Sequence, residues 1–329
     1  MNAQPSPRSN VMPLEFAKPV YLSHSSSTLY EVCPHKYKQR YNERLESTVT
    51  GVSLGYGSAY DEATCAFIVA HALGHEGQLD PVAIFEEKFE EFAKANTVGY
   101  STTFNSKEAC VASGKVLVAK FIESWLDHGY TAALDPEGKP IVQRELRVKL
   151  APNVFYTAII DVLMMTRDCE MLLADIKTAA QASDGSFHLN AGQLTGQQLV
   201  VEAHRDALGI DGVEGLCFYQ GLKKAIPKPA KGGKAGRGTG PVVLDPMICP
   251  PRTDAEVQAY VESRLWIAED IRRGRFPKRP LDAYNTPCSE LCDYRQRCIH
   301  DDSTGLRVRA SRGKPAPSPS IDSSGPAPF

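Results

Sequence analysis

Asp161, Asp175 and Lys177 are the residues of this chain whose types and spacing point to chemistry. The run FYTAIIDVLMM, the polar turn TRDCE and the run MLLADIK read as a β-hairpin over Phe155–Lys177, with Asp161 on its first strand and Asp175 and Lys177 on its second. Side chains alternate faces along a strand, so Asp175 and Lys177 share a face while Ile176 takes the other. An Asp-x-Lys pair closing an apolar strand is costly to bury without a compensating ion or partner. A divalent metal, Mg²⁺ or Mn²⁺, held by Asp161 and Asp175 would compensate it, with Lys177 beside the metal to polarise a water or steady a phosphate. That is hydrolytic phosphodiester chemistry. A single Asp-x-Lys is a weak signal, usually a solvated edge pair, so its weight depends on the elements around it.

Those elements read as a mixed α/β chain. A serine cluster suited to capping opens a helix over Ser23–Leu45, and a glycine-rich stretch, Gly51–Gly57, precedes a helix over Ser58–Leu73. Further helices are expected at Pro81–Lys94 and Lys107–Gly129, the latter with Val111, Val116, Val118, Phe121, Ile122 and Trp125 as its apolar set. Ile141–Leu150 alternates as a strand, with Val142, Leu146, Val148 and Leu150 on one face and Gln143, Glu145 and Arg147 on the other. The hairpin follows, then a helix over Leu189–Leu208, a strand over Gly215–Leu222 and a helix over Asp254–Arg273. Helix, three strands, helix, strand is the order of a helix-covered sheet. Glu145 sits on the polar face of its strand, from which it could reach the carboxylate cluster.

Together these features resemble the PD-(D/E)XK nuclease superfamily, and within it the RecB-like branch. The matching residues are Asp161, then Asp175-Ile176-Lys177 fourteen positions later, with Gln193 downstream on a helix. In that branch a Gln is followed four residues on by Tyr; here Gln197 stands at the second position, and Gln198 is a competing alignment. The branch also opens a helix with Gly-x-x-x-His, whose His can ligate metal. Here the segment is Gly57-Ser-Ala-Tyr-Asp61, so Asp61 stands where the His would be, a carboxylate able to join Asp161 and Asp175 as a metal ligand. The resemblance implies a restriction-endonuclease-like core: a mixed sheet flanked by helices, with a helical N-terminal region. The catalytic set it implies is Asp161, Asp175, Lys177, Glu145 and Gln193.

Nine cysteines in a chain without an export signal argue against a disulfide scaffold. Cys65, Cys110, Cys169 and Cys217 sit in apolar surroundings and read as buried small hydrophobes, and Cys249 lies in the run MICPP, apart from the other cysteines in sequence. Cys288, Cys292 and Cys298 are clustered, and Cys33 lies far upstream on an aromatic-basic segment. Three local thiols and one distant one do not fit a simple zinc finger, whose ligands come in two local pairs. The pattern resembles the iron–sulfur members of the RecB-like branch, the AddB nuclease domain and the CRISPR-associated four-cysteine nuclease among them. That resemblance implies a [4Fe–4S] cluster held by these four cysteines and joining the two ends of the domain. Four thiolates suit iron–sulfur or Zn²⁺ alike, and His300 could replace one of them.

The 329-residue chain carries a formal net charge of −2, which excludes a globally basic coat, so nucleic acid must be met by local patches. Candidates are Lys36 and Lys38, Lys223 and Lys224, and Arg272 and Arg273, with Tyr37, Tyr41 and Tyr294 as stacking surfaces for bases. No groove-reading motif is present, so sequence-independent phosphate contacts are expected. No segment is long and apolar enough to span a membrane, and the N-terminus lacks a signal pattern, which reads as cytoplasmic. Residues 1–20 are expected to be flexible, 21–301 to form one domain with a basic mobile loop at 227–240, and 302–329 to be a disordered tail. The resemblance implies single-strand exonuclease or DNA end-processing activity in recombination, repair or phage DNA metabolism, with a recombination or single-strand-binding protein as partner. The competing expectation is a DNA-binding accessory protein that keeps the fold and cysteines without turnover. A third is a zinc-stabilised interaction module that does not touch nucleic acid.

Overall fold

The expected hairpin is the centre of an eight-stranded mixed sheet in the computed structural model, which describes residues 18–184, 190–227, 238–282, 286, 288 and 292–309. In chain order, β1 (Val20–Leu22) leads into α1 (His24–Val32) and α2 (Pro34–Tyr37), which runs on as a π-helical turn over Lys38–Asn42. β2 (Leu45–Ser47), β3 (Val49–Gly51), α3 (Val52–Ala72), α4 (Pro81–Ala95), β4 (Thr97–Gly99) and α5 (Lys107–His128) follow. Then come β5 (Thr131–Ala132), β6 (Val142–Ala151), β7 (Val154–Met165), β8 (Met171–Ala179), α6 (Gly192–Glu202), α7 (Arg205–Leu208) and β9 (Gly215–Leu222). The chain closes with β10 (Val242–Val243), β11 (Met247–Cys249), α8 (Asp254–Arg272), α9 (Arg295–His300) and β12 (Leu306–Val308). No helix among the described residues is long and apolar enough to cross a membrane.

Strand β7 organises the sheet. β5 and β6 pair antiparallel along one of its edges. On the other edge β1 pairs parallel with Val154–Tyr156, and β8 pairs antiparallel with Val162–Met165. Beyond Ala174, β8 leaves β7 and pairs only with parallel β9. Residues 157–161 of β7 therefore have no ladder partner on that edge, and the two strands part beside Asp161 and Asp175.

Helices cover both faces. Val162, Met164, Ala174, Ile176 and Tyr219 pack with Tyr56 and Ile68 of α3, Phe85 of α4 and Trp125 of α5. Ile160, Leu163, Leu173 and Leu216 pack on the opposite face with Leu194 and Val200 of α6 and Ile267 of α8. Along β7, Tyr156, Ala158 and Ile160 belong to this second core while Val162 and Met164 belong to the first. The strand changes facing at Asp161. Opposite it on β6, Gln143 takes a left-handed backbone (φ 48°), and the register passes from Val142↔Val162 to Arg144↔Ile160 without a 143–161 pair.

Several expected boundaries move for identifiable reasons. The helix expected over Ser23–Leu45 breaks at Cys33, which is extended (φ −162°, ψ 108°) because a residue before proline is pushed out of the helical region. The helix expected to begin at Ser58 begins at Val52 and includes Gly55, where a Cβ would lie 2.1 Å from the ring of Phe92, so glycine there serves close packing of α4. Cys169 is exposed at positive φ (64°) in the hairpin turn rather than buried, and Val116 faces outward on α5. The helix expected over Leu189–Leu208 is α6 and α7, with Leu189 outside the described residues. Of the expected tail, Leu306–Val308 pairs antiparallel with β2, so order extends past residue 302; residues 310–329, like 1–17 and 228–237, lie outside the described residues. Val20, placed in the expected flexible lead, begins β1 and pairs with Val154.

α6 reaches the gap in the sheet because Gly196 lets it sit on the fully buried Tyr156, whose hydroxyl bonds that of Tyr260 at 2.8 Å. A Cβ on Gly196 would lie 2.1 Å from the Tyr156 hydroxyl and 2.8 Å from that of Tyr260. Overpacking of this kind costs about 1–3 kcal/mol, against about 1 kcal/mol gained by alanine in a helix. Gly196→Ala should therefore lower the urea midpoint; an unchanged or raised midpoint would show that α6 is not held this closely.

Candidate active site

The gap between β7 and β8 collects the charged residues. Asp161 and Asp175 are both buried, and Lys177 of β8 stands between them, its Nζ 3.3 Å from Asp161 Oδ2 and 2.9 Å from Asp175 Oδ1. Where the ladder would have continued, Asp161 Oδ2 instead accepts the Ile176 N–H at 2.9 Å. α6 closes the gap from one side. Gln193 Nε2 donates to Asp175 Oδ1 at 2.6 Å, and Gln197 Nε2 donates to the free carbonyl of Ile159 at 3.0 Å and lies 3.5 Å from Asp175 Oδ1. Gln198 is bonded to the backbone of Arg252 in both directions, so Gln193 and Gln197 are the pair that meets the cluster.

α3 contributes from the other face. Gln143 Nε2 donates to both carboxylate oxygens of Asp61, at 3.1 and 3.2 Å, and lies 3.5 Å from Cys65 Sγ. Burial first, and the Asp161 carboxylate second, push Asp61 up to about 6. Burial and then the Asp175 carboxylate likewise raise Asp161, against the pull of Lys177. The two acids hold Lys177 charged well above its ordinary range, against the cost of its burial. Glu145 lines the same cavity of about 340 Å³ with Asp161, Gln143, Gln193 and Gln197, but its own carboxylate is turned to Arg147 at 3.5 Å. His24, at the first turn of α1, also lines this cavity, and its Nδ1 is buried without a partner. Gln143 and His24 were not singled out by sequence. Gln143 was only one of three polar residues read on one face of its strand, and nothing local marks a left-handed backbone.

The cysteines form a second centre. Cys33, Cys288, Cys292 and Cys298 line one small cavity together with Lys36, Arg279 and Arg295. Burial pushes the Cys292 and Cys298 thiols up. Cys33 also caps α2, its sulfur accepting the Lys36 N–H at 3.4 Å. Residues 289–291, between two of the four, lie outside the described residues.

The expected nucleic-acid contacts fare unevenly. Arg272 donates to the carbonyls of Pro152 and Asn153, Arg273 pairs with Glu269 at 2.7 Å, and Lys38 lies 3.6 Å from Glu43. Lys223 lies over the Tyr56 ring, 5.9 Å from its centroid, and Lys224 donates to Thr239. Tyr37 and Tyr294 are buried and offer bases no surface; of the three expected tyrosines only Tyr41 is exposed.

The family model for the PD-(D/E)XK nuclease superfamily matches residues 21–299. The chain belongs to the PD-(D/E)XK nuclease superfamily. Among solved structures, the crystal structure of SSO0001 aligns over 76% of this chain and 85% of its own at 10% identity, with a TM-score of 0.28, too loose a likeness to add to the assignment. No curated protein matches the sequence. The superfamily implies a divalent cation, and the residues present fit one. Three carboxylates and one ammonium leave two negative charges in a gap of the sheet, all the donors are hard oxygens, and Gln197 Oε1 is buried without a partner. Among the described residues no three His, Cys, Asp or Glu side chains are already closed around a metal-sized point.

The raised Asp61 has a defined consequence for stability. Its carboxyl keeps its proton up to about 6 in the folded protein against 3.8 as the ordinary value, so its ionisation opposes folding. The penalty is absent below about 4, grows as pH rises to about 6 and is constant above. In EDTA, Asp61→Asn should therefore gain thermal stability relative to the unsubstituted protein between pH 4 and 7. A stability difference that does not change with pH over that range would overturn this account.

Proposed function

We propose that the chain is a metal-dependent deoxyribonuclease acting on single strands or DNA ends. The observation that carries the reading is the convergence of Asp161, Asp175 and Lys177 in the gap between β7 and β8. Asp161 and Asp175, with Asp61 opposite, would hold Mg²⁺ or Mn²⁺, which when bound supplies Lewis-acid polarisation of a phosphoryl oxygen and a more acidic water. Lys177 presents its ammonium beside them, where negative charge on a phosphoryl group in transit would be stabilised. Gln193 holds Asp175 in place, Gln143 holds Asp61, and Gln197 ties the free edge of β7 to α6. The sequence carries no groove-reading motif, which suits sequence-independent action. Recombination, repair or phage DNA metabolism is the setting consistent with the branch resemblance, with a recombination or single-strand-binding protein as partner.

Purified protein with Mg²⁺ or Mn²⁺ should cleave end-labelled DNA, and Asp175→Ala or Lys177→Ala should reduce the rate by about 10²-fold or more. Intact single- and double-stranded DNA under all metal conditions would sink the enzyme reading. Asp61 and Gln197, standing where the branch has His and Tyr, favour a second reading, a DNA-binding accessory protein without turnover. Retardation of DNA with no cleavage would select it.

The cavity shared by Cys33, Cys288, Cys292 and Cys298 supports a thiolate-bound centre, a [4Fe–4S] cluster, with Zn²⁺ as the alternative. Anaerobically purified protein should contain iron and acid-labile sulfide and lose both in Cys33→Ser. Zinc without iron in that preparation would reject the cluster.

A further inference from the structure

Beyond the carboxylate gap, the end of the sheet where β1, β6 and the first half of β7 meet is left exposed on one face, and it leads straight to the candidate site. On β7, Phe155, Thr157 and Ile159 alternate outward, away from the core that holds Tyr156, Ala158 and Ile160. Register places Tyr21 of β1 beside Phe155 on one side, and Lys149, Arg147 and Glu145 of β6 beside Phe155, Thr157 and Ile159 on the other. Tyr21 and Phe155 stack with ring centroids 5.3 Å apart and planes inclined by 16°. The Arg147 guanidinium reaches across Thr157, to which it donates at 3.0 Å, and lies 5.5 Å from the Tyr21 ring centroid. Tyr21 is 57% exposed and Ile159 49% exposed. Lys149 is exposed on the same row, and the row's acid, Glu145, is turned to Arg147.

We propose that this face is the single-strand track of the enzyme, with nucleobases stacking on Tyr21 and Phe155 and the phosphates meeting Arg147 and Lys149. The proposal rests on the nuclease reading for its direction but names a surface that the reading does not require. A stacked aromatic pair, Tyr21 exposed and Phe155 half-buried, beside two cations matches a flexible polyanion with exposed π-faces. A duplex keeps its bases stacked inside and would not use the rings. The track is continuous with the candidate site, because Thr157, Ile159 and Glu145 line the cavity that also contains Asp161. Phe155 lies six residues before Asp161, about 20 Å along the strand. A strand seated on the rings would thus place a phosphodiester a few nucleotides away beside the carboxylates. The face also takes the role expected of Tyr37 and Tyr294, which are buried.

The test is fluorescence anisotropy in EDTA at low salt, with a labelled oligothymidylate and a blunt duplex of the same length. Tyr21→Ala combined with Phe155→Ala should weaken single-strand binding about tenfold or more and leave duplex binding unchanged. Tyr21→Trp should retain single-strand binding. Trp266→Ala removes an aromatic that is 73% exposed on α8, the helix covering the opposite face of β1 and β6, and should change neither. Unfolding midpoints equal to that of the unsubstituted protein show that the alanine variants fold. Single-strand binding unaffected by the double substitution, an equal loss for duplex, or an equal loss in Trp266→Ala would each overturn the track. Cleavage separates this from the reading beneath it. An active nuclease with normal single-strand binding in the double variant defeats the track alone. A protein that never cleaves, yet loses single-strand binding in that variant, defeats the nuclease reading and leaves the track standing.

Discussion

Parting two strands of a sheet leaves backbone groups without partners, and the way this chain settles them determines the rest of its site. A buried N–H or C=O left unpaired costs about 1–3 kcal/mol, so the ladder between β7 and β8 cannot simply stop. At the gap the missing bonds are remade by side chains: Asp161 accepts the Ile176 N–H, and Gln197 donates to the Ile159 carbonyl. The groups that repair the backbone are thus among those that could do chemistry. Lys177 completes the arrangement by bridging two acids that would otherwise repel each other in a buried position. Removing it would leave two desolvated carboxylates facing each other, so it acts as a structural counter-ion before any catalytic role is assigned.

The same gap explains why both helical layers can reach one point. A regular strand presents each face to one layer only. β7 changes facing at Asp161, and the left-handed Gln143 lets β6 change with it. As a result Asp61, from α3, and Gln193 and Gln197, from α6, approach the carboxylates from opposite sides of the sheet. A left-handed non-glycine residue costs of order 1–3 kcal/mol. The two bonds from Gln143 to Asp61 at that position indicate what the strain secures.

The core of this arrangement was legible in the sequence because period-two alternation and the D-x-K spacing are local signals. The hairpin, β6, β9, α4, α5 and α8 lie within a residue or two of where the sequence predicts them, and Asp161, Asp175 and Lys177 stand on the hairpin as expected. What was missed depended on contacts between distant segments. Helical periodicity around Gly55 gave no sign that Phe92 would press against it, so the start of α3 was placed six residues late. Aromatic residues near basic ones suggested base stacking at Tyr37 and Tyr294, yet Tyr37 packs against Tyr30 and Phe276, and Tyr294 bonds the Leu45 carbonyl. Conversely Tyr21 and Phe155, far apart in the chain, become neighbours only through the parallel pairing of β1 with β7. Arg272 and Arg273 were expected at phosphates, but Arg272 donates to backbone carbonyls and Arg273 pairs with Glu269, and of the basic residues after them Arg275 pairs with Asp270 and Lys278 donates to a backbone carbonyl.

Those internal uses of the basic run reveal how the ends of the domain are joined. The Tyr30 hydroxyl donates to the Arg275 carbonyl, Arg279 donates to the Val32 carbonyl, Lys278 to that of Cys298, and β12 pairs with β2. The Tyr30–Arg275 and Arg279–Val32 bonds and the β2–β12 pairing each join segments more than two hundred residues apart, the Lys278–Cys298 bond stays within the C-terminal segment, and the four-cysteine cavity lies beside them. α1 carries this seam to the carboxylate gap: His24 at its start lines the carboxylate cavity, and Cys33 at its end lines the cysteine cavity. A nine-residue helix is about 13 Å long, so the two cavities stand at opposite ends of one short element. Binding at the cysteines would therefore do more than close a long loop and reduce the freedom of the unfolded chain. It would also tether the helix whose first turn lines the carboxylate cavity.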